Sequence, residues 1–250
     1  MNKNSNTYII VYATVMVVVV AALLAVAALS LQSRQNANIM GEKKSAILSS
    51  LAAESEAYDQ FIDAYAVDAS GAKVEGVSAD DALQMLFDLK GAFAGGTYPV
   101  FEAKDGRIVV PVTGTGLWGP IWGYVALEKD MNTVAGVVFG HQGETPGLGA
   151  EIATPKHWAQ YEGKTIFEGS ELTAIHLKKG GATPGNMHEV DAITGGTKTS
   201  DGVSAMLYDC LKSYLPFLSA RIAQTAAAAA AEAANEEAEV SNELNAEDHE

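Results

Sequence analysis

This 250-residue sequence has little with which to chelate a metal, close a disulfide or run a nucleophilic hydrolysis. Its single cysteine, Cys210, excludes an intramolecular disulfide framework and, by itself, an all-cysteine metal cluster. The five histidines (His141, His157, His176, His188 and His249) are scattered with no i, i+4 pair, which disfavours a histidine-based metal site. No Gly-x-Ser-x-Gly nucleophile elbow is present. Basic residues are scarce as well: 16 Lys and Arg stand against 31 Asp and Glu, for a net charge of −15. No basic footprint for nucleic acid remains. About half of the acidic excess lies after Thr225, in an Ala-rich stretch without Lys or Arg, read as a helical extension fraying into a solvated tail.

What the chain has in quantity is apolar surface. At 48% hydrophobic residues it can bury one sizeable core. Tyr8 to Leu31 carries no charge and, as a helix, would extend about 36 Å, enough to cross a bilayer. Tyr8 and Tyr12 sit near one end, where interface aromatics gather. The run is too long for the apolar core of a cleaved signal peptide, so a retained single-pass anchor is expected. Lys3 lies before the run, and Arg34, Lys43 and Lys44 lie after it. By charge alone that mildly favours a cytoplasmic C-terminal domain.

Downstream, Ile47, Leu51, Tyr58, Phe61, Ile62 and Tyr65 predict a helix over about 44–63. Ser78 predicts the cap of a second, with Leu83, Leu86 and Phe87 on one face and Gly91 at its end. Segments 98–103 and 107–112 flank Asp105-Gly106, a strong hairpin signal, and 121–128 and 134–141 read as two further strands. Residues 155–161 predict a short helix and 172–178 another strand. Val203, Met206, Leu207, Cys210, Leu211, Tyr214 and Leu215 follow i, i+3, i+4, i+7 spacing, a helix with one buried face that Thr199 or Ser200 would cap and Pro216 would halt. Cys210 is then a buried structural thiol. The expected fold is α+β: one N-terminal transmembrane helix, then a single domain with an antiparallel sheet and flanking helices.

Three glycine-bearing stretches carry the chemistry. Residues 191–200, Asp-Ala-Ile-Thr-Gly-Gly-Thr-Lys-Thr-Ser, put hydroxyls and a glycine pair just ahead of the last amphipathic helix. That arrangement suits a phosphate, because bare backbone and free helix N–H groups can approach it, though a capped glycine turn has the same residues. It is too short for a nucleotide-triphosphate loop. Residues 113–124 hold four glycines around Trp118 and Trp122, fit for one wall of an aromatic-ligand pocket or for a turn with core tryptophans. Residues 141–151 follow a strand. There Glu144 and Thr145 can hydrogen-bond a ligand's polar edge, while Pro146, Gly147 and Gly149 shape the loop.

These stretches resemble the FMN-binding domain family, found in sodium-pumping NADH:quinone reductases and their Rnf relatives. The pattern Asp-x-x-Ser/Thr-Gly-Ala/Gly-Thr-x-Ser/Thr falls on Asp191, Thr194, Gly195, Gly196, Thr197 and Thr199. The resemblance implies that a flavin transferase esterifies FMN phosphate to Thr197. Thr194 and Gly196 stand where Ser and Ala are common. Glu144-Thr145-Pro146-Gly147-Leu148-Gly149 matches the family's isoalloxazine-pocket segment residue for residue. Leu117 and Trp118, within Gly-Leu-Trp-Gly-Pro, look closer to the sodium-pump branch of the family than to the Rnf branch.

The resemblance further implies an electron-transfer subunit with covalent FMN and no independent catalytic site on this chain. It would sit in a six-subunit translocase of the bacterial inner membrane that couples NADH oxidation and ubiquinone reduction to sodium export. Its FMN domain would be periplasmic, against the charge count. The alternatives are the Rnf relay and a membrane-tethered module for a non-redox ligand. The domains expected are an anchor at 1–34, a helical membrane-proximal segment at 35–97, the FMN-binding domain at 98–222 and the acidic tail at 223–250.

Overall fold

The computed structural model describes residues 6–247, and side chains as far as 227; expectations that touch 1–5 and 248–250 lie outside the described residues. The chain divides into a unit ending at Lys44 and a unit beginning at Ser45. Most of helix α1 (Asn6–Ser50) makes up the first unit, and among the described residues it alone is long and apolar enough to cross a membrane. Val17, Leu23 and Leu29 are all more than half exposed, so the apolar surface runs round the helix instead of down one stripe. Such a helix suits lipid, where its own backbone bonds satisfy every polar group.

In the second unit, the helix expected over 44–63 stops at Ser50. The amides of Leu51 and Ala53 both donate to the Leu48 carbonyl at 3.0 Å. Ala52 takes φ 51° and turns the chain. Ile47, Leu48 and Leu51 are buried by that turn. One helical turn, α2 (Tyr58–Phe61), leads directly into strand β1 (Ile62–Asp68). Residues 35–97 are therefore not helical throughout. The difference has a physical cause: Ala64, Tyr65, Ala66 and Val67 are all buried, so the strand shows no alternation to separate it from a helix.

The second expected helix is broken in two. Ser78 caps α3 (Ala79–Gln84) with a reciprocal capping box to Asp81, and a 3-10 turn, Met85–Phe87, follows. Asp88 then caps α4 (Leu89–Ala94) by accepting the Gly91 N–H at 3.0 Å. Gly91 lies beneath this cap instead of ending the helix, because a Cβ there would strike the Asp88 carboxylate.

Strands β2 (Thr97–Ala103), β3 (Ile108–Thr115), β4 (Pro120–Leu127) and β5 (Val134–His141) extend β1 into a five-stranded meander of order β1-β2-β3-β4-β5, antiparallel throughout. The Asp105-Gly106 hairpin forms as expected, with Gly106 at φ 89°. After β5 come a 3-10 turn, Gly149–Ala153, and α5 (Pro155–Trp158). Two small ribbons follow: β6 (Phe167–Glu168) pairs with β7 (Glu171–Leu172), and β8 (His176–Lys178) runs parallel to β9 (Glu189–Asp191).

The sheet's covering helix is α6 (Thr197–Glu247). Its expected stripe is buried from Val203 to Tyr214, joined by Phe217 and Leu218. Cys210 is buried as expected. Its Sγ lies 3.4 Å from both the amide and the carbonyl of Thr113, and burial pushes the thiol up to about 11. Pro216, expected to halt α6, is inside it. An interior proline costs about 3 kcal/mol, whereas burying Phe217 and Leu218 contributes about 1.5–3 kcal/mol each. Packing wins. Gly71 helps, since a Cβ there would come within 2.5 Å of the Phe217 amide.

Candidate functional site

Three loops meet at one end of the sheet: 116–119 between β3 and β4, 142–148 after β5, and 192–196 leading into α6. Each lies within one of the glycine-bearing stretches, and a single carboxylate ties them together. Glu144 is 5% exposed. Its Oε1 accepts the Trp118 backbone N–H at 2.8 Å, and its Oε2 accepts the Thr199 hydroxyl at 2.6 Å. Burying a carboxylate is unfavourable unless hydrogen bonds replace its water, and these two donors do so. Two glycines make the space. A Cβ on Gly116 would lie 2.5 Å from Glu144 Oε1, and one on Gly149 would collide with both Glu144 Oε2 and Thr199 Oγ1.

The Glu144 side chain faces inward and joins the loops. Thr145 beside it is exposed, and its carbonyl accepts the amides of Leu148 and Ala150, both at 3.1 Å. Gly147, at φ 74°, supplies the left-handed turn between them and donates to Glu151 Oε1 at 3.1 Å.

The loop into α6 folds back on itself. Gly195 adopts φ 76°, and a Cβ there would come within 2.6 Å of Leu148 Cδ2. The Gly196 amide donates to the Ile193 carbonyl at 2.9 Å, and the Ile193 amide donates to Ser200 Oγ at 3.0 Å. The helix starts at Thr197, three residues earlier than a Thr199 cap would place it. Thr199 and Ser200 are thus inside the first turn, with their hydroxyls committed to the loops rather than to capping. Thr197 is exposed at the first helical position. Helix geometry leaves the amides of Thr197, Lys198 and Thr199 without an intrahelical acceptor. Around this terminus Leu117, Trp118 and Leu148 are 55%, 69% and 42% exposed, an unusual amount of large apolar surface to leave in water.

Asp191 and Thr194 lie on the other flank, lining a cleft of about 250 Å³ with Gly147, Glu151, His157 and Gln160. Asp191 Oδ1 accepts the Ala182 amide at 2.8 Å, and its own amide donates to Gln160 Oε1 at 2.9 Å. His157 belongs to none of the three stretches, so sequence motifs pass over it. It is 2% exposed, with Nε2 3.1 Å from the Tyr161 hydroxyl. Burial depresses its pKa to about 4, although the Asp191 charge pulls the other way. The i, i+4 spacing of His157 and Tyr161 in the expected helix is the one available signal for this pair.

Exposed apolar side chains beside an open helix N-terminus, on an antiparallel α+β frame, define a ligand-binding class of domain suited to a planar group bearing a phosphate. The family described as "FMN-binding domain" matches residues 116–212, which contain all three loops. Over 210 residues the chain is 36% identical to the NqrC subunit of the Na(+)-translocating NADH-quinone reductase of Vibrio vulnificus, covering 74% of this chain and 82% of that one. The corresponding Vibrio anguillarum subunit is 45% identical over 108 residues, 42% of each chain. The crystal structure of the same subunit from Parabacteroides distasonis superposes with a TM-score of 0.67 at 40% identity, covering 75% of this chain and 96% of that one. That of Shewanella oneidensis NqrC gives 0.62 at 26% identity, covering 74% and 99%. The chain belongs to the NqrC family of Na(+)-translocating NADH-quinone reductase subunits.

Proposed function

We propose that this chain is a flavin electron-transfer subunit of a Na(+)-translocating NADH:ubiquinone reductase and that it carries FMN as a phosphoester on Thr197. The observation that carries this reading is the exposed Thr197 hydroxyl at the first turn of α6, next to the exposed faces of Leu117, Trp118 and Leu148. These residues fit the group. The first-turn amides and helix dipole favour a phosphate, and Gly195 and Gly196 keep side chains out of its way. The Trp118, Leu117 and Leu148 surfaces suit the ring, with Thr145 and the Gly147 backbone at its polar edge. Asp191 and Thr194 complete the segment that a flavin transferase reads. FMN, when bound, supplies electron-transfer chemistry.

A threonine hydroxyl is a weak nucleophile at its ordinary pKa, so attachment needs a separate flavin transferase with FAD as donor. Thr197 Oγ attacks the FMN-side phosphorus of the pyrophosphate. The new P–O bond replaces the bond to AMP, which leaves, and the hydroxyl proton passes to a base of the transferase. The tether keeps the flavin from being lost on a side of the membrane where it is not replenished. In this reading α1 is a single-pass inner-membrane anchor, residues 98–222 bind FMN on the periplasmic side, and the other subunits of the complex deliver and remove electrons. Coupling to sodium export belongs to the assembly.

Co-expression with a flavin transferase tests this directly. The purified chain is expected to be yellow and to keep its flavin fluorescence on a denaturing gel. A colourless chain from cells with active transferase would contradict the proposal.

A further inference from the structure

We propose that Glu144 and Thr199 act as positioning residues for flavin attachment, holding the first turn of α6 so that Thr197 is presented outward to the transferase. This rests on Thr197 being the acceptor. Successive helical residues are rotated by about 100°, so positions 197 and 199 point to nearly opposite sides of the first turn. The structure has that disposition: Thr199 is 1% exposed and Thr197 is exposed. Fixing Thr199 inward therefore fixes Thr197 outward.

The inward hold is a carboxylate, and the fold reserves room for it at Gly116 and Gly149. An apolar side chain would fill that space without the cost of burying an acid. What the acid adds is direction. Its two oxygens set the hydroxyl of Thr199 and the amide of Trp118 at 2.6 and 2.8 Å, so the acceptor turn and the tryptophan loop are placed by one group. Ser200 adds a second tie, accepting the Ile193 amide on the far side of the glycine pair. Neither Glu144 nor Thr199 takes part in the transfer itself, in which the bond to AMP breaks as the Thr197 ester forms.

The test uses the full chain in mild detergent with a flavin transferase and FAD, following FMN gain by intact mass at several chain concentrations to separate kcat from KM. Thr199→Val, close to isosteric, is expected to lower kcat at least tenfold with KM within about twofold, and Thr199→Ser to restore most of the rate. Glu144→Gln keeps the side-chain volume and an acceptor for Trp118 while removing the carboxylate, and is expected to lower kcat at least threefold; it carries the test if Thr199→Val does not fold by circular dichroism. A folded Thr199→Val or Glu144→Gln chain modified at the parent kcat would overturn the positioning role. If the parent is labelled and Thr197→Ala is not, that result sinks the positioning role alone. An unlabelled parent, or a labelled Thr197→Ala, sinks the acceptor reading and the positioning role with it.

Discussion

At the scale of single residues, His157 ties the stability of the site's flank to pH. Its folded pKa of about 4 lies below the ordinary 6.5, so the unfolded chain takes up the proton first as pH falls. The stabilisation is fully present above about pH 6.5, is lost progressively towards about pH 4, and is level below that, for a loss of about 3 kcal/mol. Urea midpoints followed by tryptophan fluorescence should fall across this window in the parent, and the fall should be shallower in His157→Phe. Parallel slopes would mean that other groups govern the acid limb. Gly149→Ala is expected to destabilise by about 1–3 kcal/mol, because its Cβ enters the Glu144–Thr199 contact. An unchanged unfolding midpoint would show that this contact relaxes freely. Glu144 also marks how far a sequence motif reaches. The Glu-Thr-Pro-Gly-Leu-Gly run locates the loop correctly, yet the direction of the Glu144 side chain depends on Gly116 and Thr199, far away in sequence.

Among the elements, α6 is the most legible and also the most instructive. Its 3.6-residue stripe identifies the buried face through Tyr214, whose hydroxyl donates to the Pro99 carbonyl at 2.8 Å. Its ends depart from expectation for a single reason: cap and breaker residues act locally, and tertiary contacts outweigh them. Thr199 and Ser200 are drawn into the loop network, and Pro216 is overruled by the burial of Phe217 and Leu218. Pro216→Ala is expected to raise stability by about 1–3 kcal/mol by restoring a helical N–H. A loss of stability in thermal melts would show that the proline ring's packing outweighs the missing bond. Strand β1 is hidden by the opposite problem. The hairpin from β2 to β3 announces itself through Asp105-Gly106, but β1 is buried on both faces and has neither alternation nor a short turn to mark it.

For the whole molecule, the α+β class, the long apolar N-terminal helix and the three glycine-bearing loops are readable in the sequence, because each depends on local composition or periodicity. The convergence of the loops is not. Register in the five-stranded meander brings residues 116–119 and 142–148 to one end of the sheet, the Glu144–Thr199 contact ties the start of α6 to them, and no local signal encodes that meeting. The side of the membrane is a second whole-chain property, on which charge count and family resemblance disagree. Alkaline phosphatase fused after Glu250 is expected to be active, as a periplasmic domain requires, and an inactive fusion would reverse the orientation. The central claim is that Thr197 bears the flavin, and intact mass with peptide mapping of the chain co-expressed with its transferase tests it most directly. The account predicts one added FMN, less water, on the peptide containing Thr197, and none in Thr197→Ala; that mass retained in Thr197→Ala, or mapped to Thr194 or Thr199, would contradict it.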